Sequence, residues 1–458
     1  MQFLTDKKIP QKAVRVSFAT SDTDEIIRRE NGSREFVIGI ESRQKINSRK
    51  FFLLVRRIIQ LAKEKHIKEL AIDWKDLQFP KVALSSTEIA EAFVVNALMA
   101  NFAFTHFKTP PNKGFPSVDR IYFLHARTKE LRQGFDRGNI IGDEVNRARL
   151  ISNMPGGEMT PEILAEHARA SVRNLPILVR VLGMREMQRL KMGGVIAVGK
   201  GSDAKPRFII LEYRGTSKSK APIVLIGKGI TFDTGGINLK PSDSIIGMNM
   251  DMSGGAAVIH TLAACARLKL AKNIVALIPA AENMPSGESY RPGDIIRSLS
   301  GKTIEVQNTD AEGRIVLADA LTYAKRYRPS LVVDVATLTG AVMVALGERA
   351  AGLFTQDEKL ELAFRHIGES VGDFVWPLPL WDEYDEEIKA PFGDVANLGS
   401  TKWGGAITAA AFLKQFADGY PWVHLDIASR MTAVKGEHLA PGAAGAAIRL
   451  LIRYLERF

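Results

Sequence analysis

The sequence holds a single cysteine in 458 residues, and nothing in it resembles a membrane span or a secretory leader. Cys265 cannot close an intramolecular disulfide, so the chain reads as a protein of a reducing compartment that is held together by core burial. Its neighbours Ala263, Ala264 and Ala266 mark it as a small buried hydrophobe rather than a nucleophile. No stretch approaches the roughly 18 uninterrupted apolar residues that a spanning helix needs, and residues 1–8 lack the basic-then-apolar order of a signal peptide. The expectation is a cytoplasmic protein without a membrane partner. Also missing are a His-Glu-x-x-His helix and the Gly-Lys-Ser/Thr order of a phosphate loop, which excludes the commonest helical zinc-protease and nucleotide signatures. Repeats and low-complexity tracts are absent too.

What is there is ordinary globular composition: 46% hydrophobic and 25% charged residues, with a mean hydropathy of −0.03. Disorder, collagen and coiled coil are excluded, and the length predicts two or three domains. The net charge of +11 is unevenly spread: the first 150 residues hold 27 Lys+Arg against 18 Asp+Glu, and the rest is nearly balanced. A basic N-terminal third admits a DNA-binding regulator as the alternative function. No zinc knuckle or aromatic platform accompanies the charge, and a solvated face explains it as well.

Strand-like and helix-like segments alternate through both halves. Residues 13–19, 35–40 and 67–74 read as strands; 49–65 and 87–104 read as helices, the second capped by Ser85, Ser86 or Thr87. A charged helical stretch through Arg147 and Arg149 then meets Asn153-Met154-Pro155-Gly156-Gly157, which cannot continue a helix. Thr160-Pro161-Glu162 opens a new helix with a cap, a first-turn proline and an early acid. The sequence thus divides into a basic α/β domain at 1–140, a linker helix and loop at 141–159, and a larger domain at 160–458. In the larger part, 207–213, 222–226, 273–279 and 331–335 are short aliphatic strands between helices. That alternation predicts an α/β fold: a mixed, largely parallel C-terminal sheet with helices on both faces, plus a smaller N-terminal α/β domain.

Three polar clusters punctuate this pattern. Gly227-Lys228-Gly229-Ile230-Thr231-Phe232-Asp233-Thr234-Gly235-Gly236 and the following Lys240 come directly after a strand, where glycines let backbone turn tightly or a ligand approach. Asp251 precedes Ser253-Gly254-Gly255-Ala256 at the start of a helix, where an acid is also favoured by the dipole alone. Gln307-Asn308-Thr309-Asp310-Ala311-Glu312-Gly313-Arg314 is dense in polar groups, and on an extended segment Asp310 and Glu312 would share one side. Four gathered carboxylates, Asp233, Asp251, Asp310 and Glu312, would raise one another's pKa values and need cations to stay ionised. An oxygen-rich set of this size suits two divalent metals.

These residues resemble the leucine aminopeptidase, or cytosol aminopeptidase, family of two-metal exopeptidases. The 308–314 heptapeptide matches the family signature, and Lys228, Asp233, Lys240, Asp251, Asp310, Glu312 and Arg314 fall at the family's spacing. Ala336-Thr337-Leu338-Thr339-Gly340-Ala341, Glu282-Asn283-Met284-Pro285 and Gly404-Gly405-Ala406-Ile407-Thr408-Ala409 add to the likeness, which covers about residues 145–458. Within the family the chain is nearer the bacterial peptidase B-like members than the animal enzyme. The usual Asn-Thr-Pro-Ala-Asn is replaced by Asn153-Met154-Pro155-Gly156-Gly157, a departure that touches no metal or catalytic position.

The resemblance implies that Asp233 and Glu312 bridge two cations, zinc or manganese with magnesium or cobalt as further candidates. Asp310 would complete one site, and Asp251 with the Lys228 amine the other. An ammonium has no lone pair, so this role for Lys228 requires a strongly lowered pKa; as a simple charge partner of the acids it would need none. Lys240 would stabilise an oxyanion, and Arg314 would hold a bicarbonate that shuttles a proton. Met248, Thr337 and Gly340 would line the first side-chain pocket, unless each is ordinary core. The implied partners are peptide substrates and further copies of the chain in a homohexamer. Lys402-Trp403 fits either packing or an oligomer contact, and packing is the simpler expectation.

Overall fold

The computed structural model describes residues 1–5, 9–29 and 32–458; part of the leader reading, at residues 6–8, lies outside the described residues. The chain forms two compact units, one of residues 1–146, 370–372 and 433–441, the other of 147–369, 373–432 and 442–458.

The first unit is built on a six-stranded sheet in the order Gln2–Leu4, Arg120–Leu124, Glu69–Asp73, Val14–Thr20, Arg34–Ile40, Glu25–Arg28. All neighbours are parallel except the last pair. Parallel strands need crossover helices. Two of them are Ser48–Glu64, capped by the Asn47 side chain on the Lys50 amide, and Ser86–Asn101, closed by a reciprocal Ser85–Glu88 capping box. Phe51, Phe93 and Phe123 are fully buried in this unit's own core.

The second unit carries a nine-stranded mixed sheet. Its centre, Trp422–Asp426, Leu331–Ala336, Ile223–Gly227 and Asn273–Asn283, is parallel throughout, and Gly229–Asp233 adds parallel to the end of the last strand. Arg207–Arg214 and Ile177–Leu182 continue antiparallel on one side, and Ala351–Phe354 joins antiparallel on the other. Every residue of Ile223–Gly227 and Leu331–Ala336 is buried, as strands covered on both faces must be. The helices Ser253–Arg267 and Glu312–Ala324 are buried nearly all round, which explains why they are apolar on every side and rich in alanine. This is the mixed α/β architecture that the alternation predicts. Among the described residues, no helix is long and apolar enough to cross a membrane.

Candidate metal and active site

The polar clusters converge at the carboxyl ends of the parallel strands, where open α/β sheets place their sites. Lys228 directly follows Ile223–Gly227, Asp233 and Asn283 end their own strands in register with each other, and Thr337 follows Leu331–Ala336. Asp251 ends up beside Lys228 because the short 3-10 turn Met248–Met252 leads into the helix Ser253–Arg267 there.

Lys228 is 3% exposed. Its Nζ lies 2.8 Å from Asp251 Oδ2 and 2.8 Å from Glu312 Oε1, and donates to Asp251 Oδ1 at 3.0 Å and to the Thr337 carbonyl at 2.9 Å. Gly313 makes room for it, since a Cβ there would stand 2.6 Å from Lys228 Cε. Lys240 Nζ lies 2.9 Å from Asp233 Oδ2 and is also ion-paired with Asp310. The other Asp233 oxygen accepts from the Gly235 amide at 2.9 Å and from Asn283 Nδ2 at 2.8 Å. Asp233, Asp310 and Glu312 each offer an oxygen within 4.8 Å of the others.

The acids are packed more tightly than their own charges favour. Burial pushes Asp251 up to about 7, with Lys228 opposing and Asp233 adding to the rise. Burial and the neighbouring Asp233 lift Glu312 to about 8, and the same two causes raise Asp310. Three buried oxygens, Asp251 Oδ2, Asp310 Oδ1 and Glu312 Oε1, have a lysine ammonium as their ion-pair partner and no other donor among the described residues. Carboxylates so arranged fit divalent cations, which would satisfy those oxygens and hold the acids ionised.

Burial opposes the charge of Lys228, but Asp251, Glu312 and Asp233 outweigh it and raise its pKa. The lowering that ligation requires is what displacement of the proton by a cation would supply. One expectation needs correction: Asp310 and Glu312 do not share an extended segment. Asp310 sits in a turn held by Asn308 Oδ1 on its amide at 2.7 Å, and Glu312 opens the helix, where the dipole favours an acid.

Arg314 lies in the first turn of that helix and is 6% exposed. Its Nε and Nη1 are buried without a hydrogen-bond partner among the described residues, and burial lowers its pKa to about 10 against the pull of Glu312 and Asp426. Thr337 is buried, with its hydroxyl donating to Asp251 Oδ1 at 2.6 Å. Gly340 is exposed and faces open space, and Met248 is half-buried.

Reading the sequence for charge passed over the polar frame. Asn283 bridges Asp233 Oδ1 and the Thr309 carbonyl, Thr309 Oγ1 donates to the Gly235 carbonyl at 2.6 Å, and Tyr290 Oη donates to Thr309 O at 2.7 Å. Asn397 holds the same segment through Gln307, Asn308 and Ala311. Asn283 and Thr309 both lie in stretches that carry the family likeness, 282–285 and 308–314, but nothing in the sequence gives the bonds they make; Tyr290 and Asn397 carry no signal there.

Residues 146–452 match the cytosol aminopeptidase family, catalytic domain. The chain belongs to the cytosol aminopeptidase family. It is 45% identical over 411 residues to a probable cytosol aminopeptidase of Roseiflexus castenholzii, covering 88% of this chain and 83% of that one. A second, from Syntrophotalea carbinolica, is 43% identical over 379 residues, or 82% and 76% of the two chains. Among solved structures, the bottromycin maturation enzyme BotP in complex with Mn superposes with a TM-score of 0.88 at 30% identity, covering 98% of this chain and 99% of that one. As a cytosol aminopeptidase family member, the protein is a metal-dependent hydrolase of the aminopeptidase class.

Proposed function

We propose that the protein removes N-terminal residues from peptides with two divalent cations at the strand ends, zinc or manganese, with magnesium or cobalt able to substitute. The observation that carries this reading is the approach of Asp233, Asp310 and Glu312 to within 4.8 Å, bordered by Asp251 and Lys228. Asp233 and Glu312 would be shared by the two cations, with Asp310 holding one and Asp251 and the Lys228 amine the other. When bound, the cations supply a water activated near neutral pH and polarise the scissile carbonyl.

The chain's own groups do the rest. Lys228 would hold a cation through Nζ once that cation has displaced its proton to solvent, and its bond to the Thr337 carbonyl orients the amine. Lys240, anchored between Asp233 and Asp310, keeps its ammonium and donates to the oxygen on which negative charge develops. Arg314, whose guanidinium Nε and Nη1 are buried without a hydrogen-bond partner among the described residues, would suit a bicarbonate that takes and returns a proton. Met248, Thr337 and Gly340 border the pocket for the first side chain, with the open space at Gly340 leaving room for it. The family likeness supports a cytoplasmic homohexamer.

Chelation should abolish release of leucine from a leucyl anilide, and manganese, zinc or cobalt should restore it. Turnover that persists in metal-stripped protein contradicts the mechanism.

A further inference from the structure

The segment 398–403 is anchored at both ends to the candidate site. At its start, Asn397 Oδ1 accepts from the Gln307 amide at 2.7 Å and Nδ2 donates to the Asn308 carbonyl at 2.6 Å, tying it to the stretch that presents Asp310. At its end, Gly404 takes a left-handed φ of +60° to cap the helix Gly405–Lys414, and a Cβ on Gly405 would touch that of Ala341 at 3.2 Å. Ala341 follows Gly340, so the segment spans from the metal-bearing turn to the border of the first side-chain pocket.

Between these anchors the chain is held without help from its aromatic side chain. The Ser400 amide donates to the Glu387 carbonyl at 2.8 Å, and the Trp403 amide donates to Thr401 Oγ1 at 3.3 Å. Trp403 is 71% exposed, so the simple packing expected for it does not occur. Lys402 Nζ lies 4.7 Å from the centroid of its ring. An exposed indole beside an exposed ammonium offers an apolar surface and a positive charge a few ångströms apart.

We propose that Lys402 and Trp403 receive the part of the peptide beyond the scissile bond, an inference that rests on the aminopeptidase reading. The indole contacts an apolar or aromatic second side chain, and the ammonium takes a carboxylate close behind it. Short peptides with a free C-terminus and an apolar second residue carry both groups at this spacing, so the pair determines specificity for that class.

The test uses the full-length, manganese-loaded protein with three substrates: leucinamide, leucyl-phenylalanine and leucyl-phenylalanine amide. Trp403→Ala should raise the KM for leucyl-phenylalanine relative to that for leucinamide by about three- to tenfold, the range of one aromatic contact, and Trp403→Phe should largely restore the ratio. Lys402→Gln should raise the KM for leucyl-phenylalanine relative to its amide. Equal changes on all three substrates, or none, overturn the proposal. So does a change in assembly size by light scattering in Trp403→Ala, which would make the indole a contact between copies. Wild-type protein that cleaves none of the three contradicts the aminopeptidase reading itself, and the proposal falls with it.

Discussion

At the scale of single residues, charge and shape at the strand ends make separable demands. Glu312→Gln removes a charge but little volume, so the fold should persist by circular dichroism while manganese affinity measured by calorimetry falls at least about 100-fold; unchanged affinity would place the cations elsewhere. Arg314→Lys keeps the charge but loses the fork, and kcat should drop by about 10²–10³ with lysine hardly better than methionine. Asp319 supplies a pH test away from the site. It accepts from the Val195 amide at 3.0 Å and the Leu299 amide at 2.7 Å, and burial pushes its carboxyl up to about 7 from an ordinary 3.8. Between those values the folded form holds the proton more tightly than the unfolded one, so its contribution to stability declines as pH rises from about 4 to about 7. Urea denaturation should show wild type losing stability relative to Asp319→Asn between pH 5 and pH 8; a constant difference would contradict this. The charged residues of the site were legible because lysines and acids at glycine-rich strand ends have few structural uses. The bonds of Asn283 and Thr309 were not, because an uncharged side chain reveals its role only once strand pairing sets Asn283 opposite Asp233.

At the scale of elements, the site depends on how closely a helix start approaches the strand ends. A Cβ on Gly254 would lie 2.1 Å from the Val335 carbonyl, so Gly254→Ala should force the helix Ser253–Arg267 away from the sheet and cost about 1–3 kcal/mol or more in chemical denaturation. Near-neutral behaviour would show the junction to be softer than its geometry. Long aliphatic strands and capped helices could be read from the sequence: Thr160 caps Pro161–Ser171 as its position suggests, and Leu331–Ala336 is a buried strand. Trp422–Asp426 escaped because it carries His424 and Asp426 in the core. Partners for them come only with the fold: Asp334 meets His424 Nδ1 at 2.6 Å across the sheet, and Asp426 accepts from the Leu338 amide at 3.0 Å and the Thr339 hydroxyl at 2.7 Å. Ile295–Arg297, Thr303–Glu305 and Val395–Ala396 are too short to show a period at all.

At the scale of the whole molecule, three stretches of sequence, 228–240, Asp251 and 307–314, meet because the parallel strands all point their carboxyl ends one way. Composition alone gives a folded globular protein and the alternation of segments its α/β class; the chemistry enters only where that topology gathers the acids and the two lysines. The account stands or falls on what those groups bind. Anomalous diffraction from manganese-loaded crystals, collected at the manganese edge, should show two peaks, both within about 2.0–2.6 Å of oxygens from Asp233 and Glu312. Peaks absent from those carboxylates, or a lone peak elsewhere on the surface, would contradict it.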